Sequence, residues 1–192
     1  MKRIIISATM VSSLLMCLGG LNSCSKVDDI IDNISIPIPF AINVNKNDID
    51  IPFIVKTEYV KSPSIPLGLD LDAEIKNRFQ GMSVDNVKSA RLSSLSITYV
   101  SSTLGTKLNA VKDANIWISA PGQADRIIAN VSNNISEDAL NFTPVTTESE
   151  AELMNYLKSP DVSIYLEVKG PEEKIDQMKI NINSSFKIEI GL

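Results

Sequence analysis

The stretch Met178-Lys179-Ile180-Asn181-Ile182-Asn183-Ser184-Ser185-Phe186-Lys187-Ile188-Glu189-Ile190 decides the fold. Apolar side chains hold the even positions 178, 180, 182, 186, 188 and 190, with Ser at 184 and polar residues between them. Successive side chains of a strand point to opposite faces, so this spacing predicts one buried and one solvated face. A strand with a single apolar face needs a second layer to cover it.

Working outward, Gly170-Pro171-Glu172-Glu173 reads as a turn, and Val162, Ile164, Leu166 and Val168 as the strand before it. Ala114, Ile116, Ile118 and Ala120 form another strand, stopped by Pro121-Gly122. Further strands are expected at Ile127 to Val131 and around Leu140 and Phe142. Between Arg91 and Tyr99 the apolar phase changes near Ser93-Ser94, as a β-bulge would make it. Thr147 and Glu150 have capping-box spacing ahead of Leu153, Tyr156 and Leu157, so a helix is expected there, with Glu148, Glu150 and Glu152 favoured by its dipole.

At the other end of the chain, Ile34, Ile36, Ile38, Phe40, Ile42 and Val44 hold the even positions. Pro37 and Pro39 cannot donate to a ladder, which places this strand at the rim of a sheet. The cluster Asn45-Lys46-Asn47-Asp48 supplies turn residues, and the phase restarts on odd positions with Ile49, Ile51, Phe53 and Val55, so a hairpin is expected. Leu67, Leu69 and Leu71 read as a short strand running into a helix over Ala73 to Phe79, capped by Asp72. The sum is an all-β chain: an antiparallel two-sheet sandwich of immunoglobulin-like type with one or two short helices, folded as a single domain over residues 34–192.

Composition narrows the function. The chain has 192 residues, 44% hydrophobic and 21% charged, which fits one globular domain and excludes a wholly disordered chain. Its formal charge of −5 argues against nucleic acid, which is held by clustered Lys and Arg. No histidine occurs anywhere, which excludes Ser-His-Asp and Cys-His catalysis and nearly all common zinc sites. One Trp, four Tyr and five Phe make a stacking platform for sugars or bases an unfavourable expectation.

The first residues read as an address. Met1-Lys2-Arg3 precedes an apolar run through Cys17 and Leu18, which has the pattern of a cleaved signal segment over residues 1–23. Leu21-Asn22-Ser23-Cys24 resembles the lipobox of bacterial lipoproteins, with Leu three positions ahead of the modified Cys and a small residue directly before it. Asn22 departs from the commonest pattern, and looser boxes of this kind resemble those of Bacteroidota lipoproteins. The resemblance implies a diacylglycerol thioether on Cys24, anchorage to the outer membrane, and a lipid bilayer as partner through the acyl chains. Two or three acyl chains give stable anchorage where one is marginal. Cys17 would leave with the signal, so the mature chain would hold no free thiol and no disulfide.

Residues 24–33 form the lipidated cysteine and a short linker, and Ser25 to Asn33 reach at most about 30 Å when extended. Ser25-Lys26-Val27-Asp28-Asp29 resembles the acidic export signal of surface-exposed Bacteroidota lipoproteins and also has the composition of a plain solvated linker, so the periplasmic face and the cell surface both stay open. The lipobox, the isoleucine-rich first strand, the phrase Val87-Lys88-Ser89-Ala90-Arg91-Leu92-Ser93-Ser94-Leu95-Ser96-Ile97 and the alternating final strand together resemble Bacteroidota cell-envelope lipoproteins of unknown function. That resemblance implies location and fold, and no activity.

Candidate chemistry is sparse. Asp70, Asp72 and Glu74 share one strand face and read either as an acid/base or hard-cation set or as a solvated face. Asn43, Asn45, Asn47, Asp48 and Asp50 offer closely spaced oxygens but lack the glycine and the bidentate glutamate of a calcium loop. Trp117 lies between Ile116 and Ile118 and faces away from them, as a ligand contact or beneath a short helix or loop. No catalytic residue, metal ligand or cofactor is assigned. The leading function is a non-catalytic binding or structural module on the envelope, contacting protein or polysaccharide. The alternative is a carrier holding a hydrophobic ligand between its sheets, and the third choice is an enzyme using carboxylates or Ser/Lys.

Overall fold

The computed structural model describes residues 37–147 and 152–191. Pro37–Leu192 forms one compact unit. Its strands are β1 (Pro37–Val55), β2 (Val60–Lys61), β3 (Ile65–Pro66), β4 (Val87–Ser102), β5 (Asp113–Ser119), β6 (Arg126–Val131), β7 (Ala139–Pro144), β8 (Ser163–Lys169) and β9 (Lys174–Gly191). The helices are α1 (Leu71–Arg78) and α2 (Met154–Leu157), with single 3-10 turns at Val84–Asn86 and Leu108–Ala110.

Neighbouring strands follow the order β1-β9-β4-β7-β6-β5-β8-β2, with β3 also on β8, and every pairing is antiparallel. The path curls into two facing layers. β7 turns the corner: Ala139 to Phe142 pair with β4, while Thr143 and Pro144 pair with Asn130 and Ala129 of β6. The core between the layers is filled by fully buried side chains, among them Phe53, Ile97, Ile116, Ile128, Leu140 and Phe186.

The all-β, antiparallel two-layer architecture is the expected one, and the strand order refines its immunoglobulin-like label. β1 pairs with β9, β2 and β3 with β8, β4 with β7, and β5 with β6. That nested set is the double Greek key of a jelly roll, whereas an immunoglobulin sandwich sets its strands ABED against CFG.

β9 has the predicted faces. Met178, Ile180, Ile182, Phe186, Ile188 and Ile190 are all buried, and it lies between β1 and β4. The turn before it does not form a hairpin, because β8 and β9 belong to opposite layers. Gly170 carries the crossover. A Cβ there would run into the Ala110 carbonyl and the Val55 side chain, while the Gly170 N–H donates to the Lys56 carbonyl at 2.8 Å.

Three expectations at the N-terminal half are corrected. Asn45 to Asp48 is not a hairpin tip: β1 runs unbroken for 19 residues along β9. Lys46 pairs with Ile182 and Ile49 with Ile180, so Asn47 and Asp48 together oppose Asn181. This is a bulge, with Asp48 at φ 55° and its N–H donated to Asn181 Oδ1 at 2.8 Å. One extra residue moves the buried set from Ile42 and Val44 to Ile51, Phe53 and Val55. Leu67 and Leu69 are buried but do not form a strand, since Gly68 turns the backbone at φ 59°. The helix cap is Asp70 rather than Asp72, its carboxylate accepting the Ala73 N–H at 2.9 Å.

Among the described residues the helix expected behind Thr147 is the four-residue α2, whose N-cap Leu153 makes no side-chain cap bond. β1 is an end strand, as its prolines required. The β4 register slips between Leu92 and Ser94, where the bulge was expected. Glu148 and Glu150 lie outside the described residues, and Thr147 sits in a bend. Glu152 accepts the N–H of Met154 at 2.8 Å and of Ala90 at 2.9 Å, which ties the start of α2 to β4.

Candidate functional site

The two ends of the strand path, β1 on one side and β2 with β3 on the other, are not hydrogen-bonded to each other. A short connection from Lys56 to Tyr59 sends the chain back antiparallel to β1, so a seam runs where a barrel would have closed. The reason lies in the sequence. Pro52 sits on the β1 rim, and Pro63 and Pro66 on the opposite rim, and none can donate to a bridging ladder.

The seam opens into a cleft of mainly apolar lining. Its upper part, about 270 Å³, lies between Phe53 and Ile54 of β1 and Val60, Leu166 and Val168. Its lower part, about 370 Å³, lies between Ile49 and Asp50 and the segment Ser64, Ile65, Pro66. Ile51, Pro52 and Pro63 line both, so the two adjoin along the seam. Below it the lining turns polar, with Asn43, Asn45, Asp70 and Glu74 around a recess of about 340 Å³. Lys46 borders both the apolar and the polar parts. Its ammonium lies against Gly68 across the seam, 2.9 Å from where a Cβ would stand. Among the described residues Lys46 is half-buried and has no ion-pair partner. At the lower end Arg78 of α1 donates to the Ala41 carbonyl at 2.9 Å and covers the β1 edge there.

Lys61 joins the top of the groove to the outer face of the second layer. There Trp117 of β5 stacks on Tyr165 of β8, with ring centroids 5.8 Å apart and planes 11° from parallel. The Lys61 ammonium sits 4.5 Å from the Trp117 ring and 4.8 Å from the Tyr165 ring, and donates to the Tyr165 hydroxyl at 3.2 Å. That hydrogen bond raises the Lys61 pKa above the usual lysine value, and burial raises that of Tyr165. Tyr165 in turn donates to Asp125 at 3.1 Å, and Glu167 accepts both the Trp117 indole N–H and an Asn115 amide N–H at 3.0 Å. Trp117 is therefore covered by neighbouring strand residues rather than by a helix or loop, and its polar atom is satisfied.

The carboxylates singled out in the sequence are brought near one another on α1, and each has a structural task. Asp70 caps α1; Asp72 accepts the Val84 N–H at 3.0 Å and pairs with Lys76; Glu74 pairs with Arg78 at 3.2 Å. The Lys76 contact, followed by the Val84 N–H, holds the Asp72 carboxyl below its ordinary pKa. Of the asparagine-rich set, Asp50 pairs with Lys179 at 3.1 Å and Asp48 makes the bulge. Among the described residues no three His, Cys, Asp or Glu side chains gather as a metal site would need. Cys24 lies outside the described residues.

Lys46, Lys61 and Tyr165 were not singled out from sequence. Lys61 and Tyr165 meet Trp117 only through the β5–β8 register and the β2–β8 pairing, and no local pattern encodes either. The prolines at 52, 63 and 66 were the available signal, each in a segment with apolar neighbours.

No protein-family model and no curated protein matches the chain. Solved structures with some likeness include turnip yellow mosaic virus (TM-score 0.31, 11% identity, 82% of this chain and 83% of that chain). Desmodium yellow mottle tymovirus gives 0.29 and 10%, covering 83% and 90%. Maize chlorotic mottle virus gives 0.25 and 13%, covering 80% and 95%. At these scores the likeness carries neither fold nor function.

Proposed function

We propose that this chain is a lipid-anchored envelope protein, held to the outer membrane by acylated Cys24, whose jelly roll serves as a non-catalytic module for binding another protein. One observation carries the reading: the large hydrophobic side chains that stay exposed are gathered at the end of the domain away from its entry point. β1 enters at Pro37 and climbs 19 residues, about 60 Å if fully extended, to Val55. At that far end stand Tyr59, Leu104 (75% exposed), Ile135 (85%) and Ile175 (61%), with Val100 two residues before β4 ends. The charges around them are matched in pairs, Lys56 with Glu173, Lys107 with Asp138, Lys169 with Asp113 and Lys174 with Glu172. Aliphatic tips in a charge-balanced rim suit a protein surface better than a polysaccharide, which favours aromatic faces and unpaired polar groups.

Among the described residues no helix is long and apolar enough to cross a membrane; in this reading the acyl chains on Cys24 hold the protein. Cys24→Ala is expected to abolish incorporation of labelled palmitate and, because cleavage follows lipidation, to leave the longer uncut chain; a parent protein that takes up no label would end the anchoring proposal. A photo-crosslinking residue at Ile135 is expected to give a discrete adduct in intact cells, and one at Asn183, on the sheet flank, none. Equal adducts from both positions would contradict a binding end.

A further inference from the structure

We infer that the groove along the open seam is a binding site for a long-chain fatty acid, with its carboxylate on Lys46 and its tail running up between β1 and β2. This goes beyond the anchoring proposal and moves the hydrophobic-ligand reading from the space between the sheets to the seam. The space between the sheets is occupied by the core: Phe53, Leu67, Ile116 and Phe186 are each 2% exposed or less. At the seam the edge of that core borders a groove, lined by half-buried Ile49, Ile54 and Val60.

Three features fit an acyl chain rather than a peptide. A peptide adding to a sheet edge is held mainly by main-chain hydrogen bonds, and Pro52, Pro63 and Pro66 remove donors along both rims. An aliphatic tail needs none. The apolar part spans Ile49 to Ile54 on β1, about 17–20 Å with the overhang at each end, which matches an extended chain of some sixteen carbons. The lining changes from apolar to polar at Lys46, so the groove has one charged end.

Lys46 supplies the charge complementarity. It reaches across the seam to Gly68 from β1, half-buried, and among the described residues no carboxylate pairs with it. A carboxylate placed there would gain a charge-assisted hydrogen bond with the tail already in contact with Ile49 and Ile51. The second lysine of the groove, Lys61, is engaged with Tyr165 and the two rings at the opposite end. The headgroup therefore goes to Lys46. Ser64 is exposed on the rim of the lower part, where a larger side chain would fill the groove without entering the core.

The test uses the chain from residue 24 onward carrying Cys24→Ala, so that neither an acyl group nor the apolar run before it competes. The probe is cis-parinarate, a naturally fluorescent fatty acid, displaced by palmitate or by hexadecanol. Saturable one-to-one parinarate binding reversed by palmitate is expected. Lys46→Met should weaken palmitate roughly tenfold, the loss of one charged hydrogen bond, and leave hexadecanol unchanged. Ser64→Phe should abolish both while the thermal midpoint stays within a few degrees. Absence of saturable binding, or binding that survives Ser64→Phe in the folded protein, overturns the site; equal loss of palmitate and hexadecanol in Lys46→Met overturns the headgroup assignment. None of these results bears on retention by Cys24, so the two proposals fail separately.

Discussion

Three neighbouring residues of β9 do three different jobs, and truncating each to alanine should rank them. Ile182 is 1% exposed and sits between Lys46 of β1 and Ile97 of β4, the latter equally buried. Ile182→Ala removes buried methylene groups and leaves a cavity that β1 and β4, held on both sides by ladders, cannot collapse to fill. Such changes cost about 2–5 kcal/mol, a large share of a domain stability of about 5–15 kcal/mol. Asn181 accepts the Asp48 N–H at the β1 bulge, so Asn181→Ala should cost about 0.5–1.5 kcal/mol. Asn183 is exposed on the outer face, and Asn183→Ala should stay within about 0.5 kcal/mol. Urea titration reads all three through one reporter, because Trp117 is the single tryptophan and its stacking on Tyr165 is lost on unfolding. With a denaturant slope of about 1–3 kcal/mol per molar, Ile182→Ala should lower the midpoint by roughly 1–2 M at an unchanged slope. Equal shifts for Ile182→Ala and Asn183→Ala would refute the two-faced strand; an Asn181→Ala variant as neutral as Asn183→Ala would refute the bulge as a held structure.

Gly170→Ala should destabilise by at least about 1–3 kcal/mol, because its Cβ meets backbone at Ala110, which cannot rotate aside; a thermal midpoint equal to the parent would show that the crossover is looser than described. Asp176 is 4% exposed, and its carboxylate accepts the N–H groups of Leu104 (3.0 Å) and Thr106 (3.2 Å). Burial opposes its ionisation, but the Thr106 side chain and the N–H donors outweigh it, so its folded pKa lies below the ordinary value. Its contribution to stability is therefore complete above the unfolded carboxylate pKa of about 4 and is lost as the pH falls through the lower folded value. Asp176→Asn should flatten the acid limb of the stability curve and speed hydrogen exchange at Leu104 and Thr106; an unchanged acid limb would count against it.

How much the sequence revealed depended on whether a signal was local. Period two gives the faces of β5 and of β9 from Met178 onward; in β8 it gives Ile164, Leu166 and Val168 but not Tyr165, which is buried as well, and at the start of β9 Asp176 rather than Ile175 is the buried residue. The bulge in β1 and the shift beside Ser93-Ser94, one of three in β4, each appear as a reversal of phase, and only the latter reads as a bulge from the sequence. Asn45 to Asp48 has turn composition, and a turn and a bulge change parity in the same way; choosing between them requires knowing that β9 continues alongside. Asp70 and Asp72 compete for one cap, and the left-handed Gly68 just before them settles which residue begins the helix. The groove was not legible, because its two walls are neighbours only after the strand path has curled. Pro52, Pro63 and Pro66 marked edges without saying that two edges face each other. The seam's lysine stood inside a polar run that drew attention for its oxygens.

The nested pairing also governs the order in which this domain can come into being. β9 fills the slot between β1 and β4, so until the last strand is available those two long strands lack their shared partner, and Phe186, Ile188 and Ile190 are missing from the core. Contacts that close so large a loop make folding slow and late. In a growing chain β1 and β4 therefore wait for their shared partner until β9 has been made. On the export route proposed for this chain, such a delay would keep it extended enough for passage through a pore.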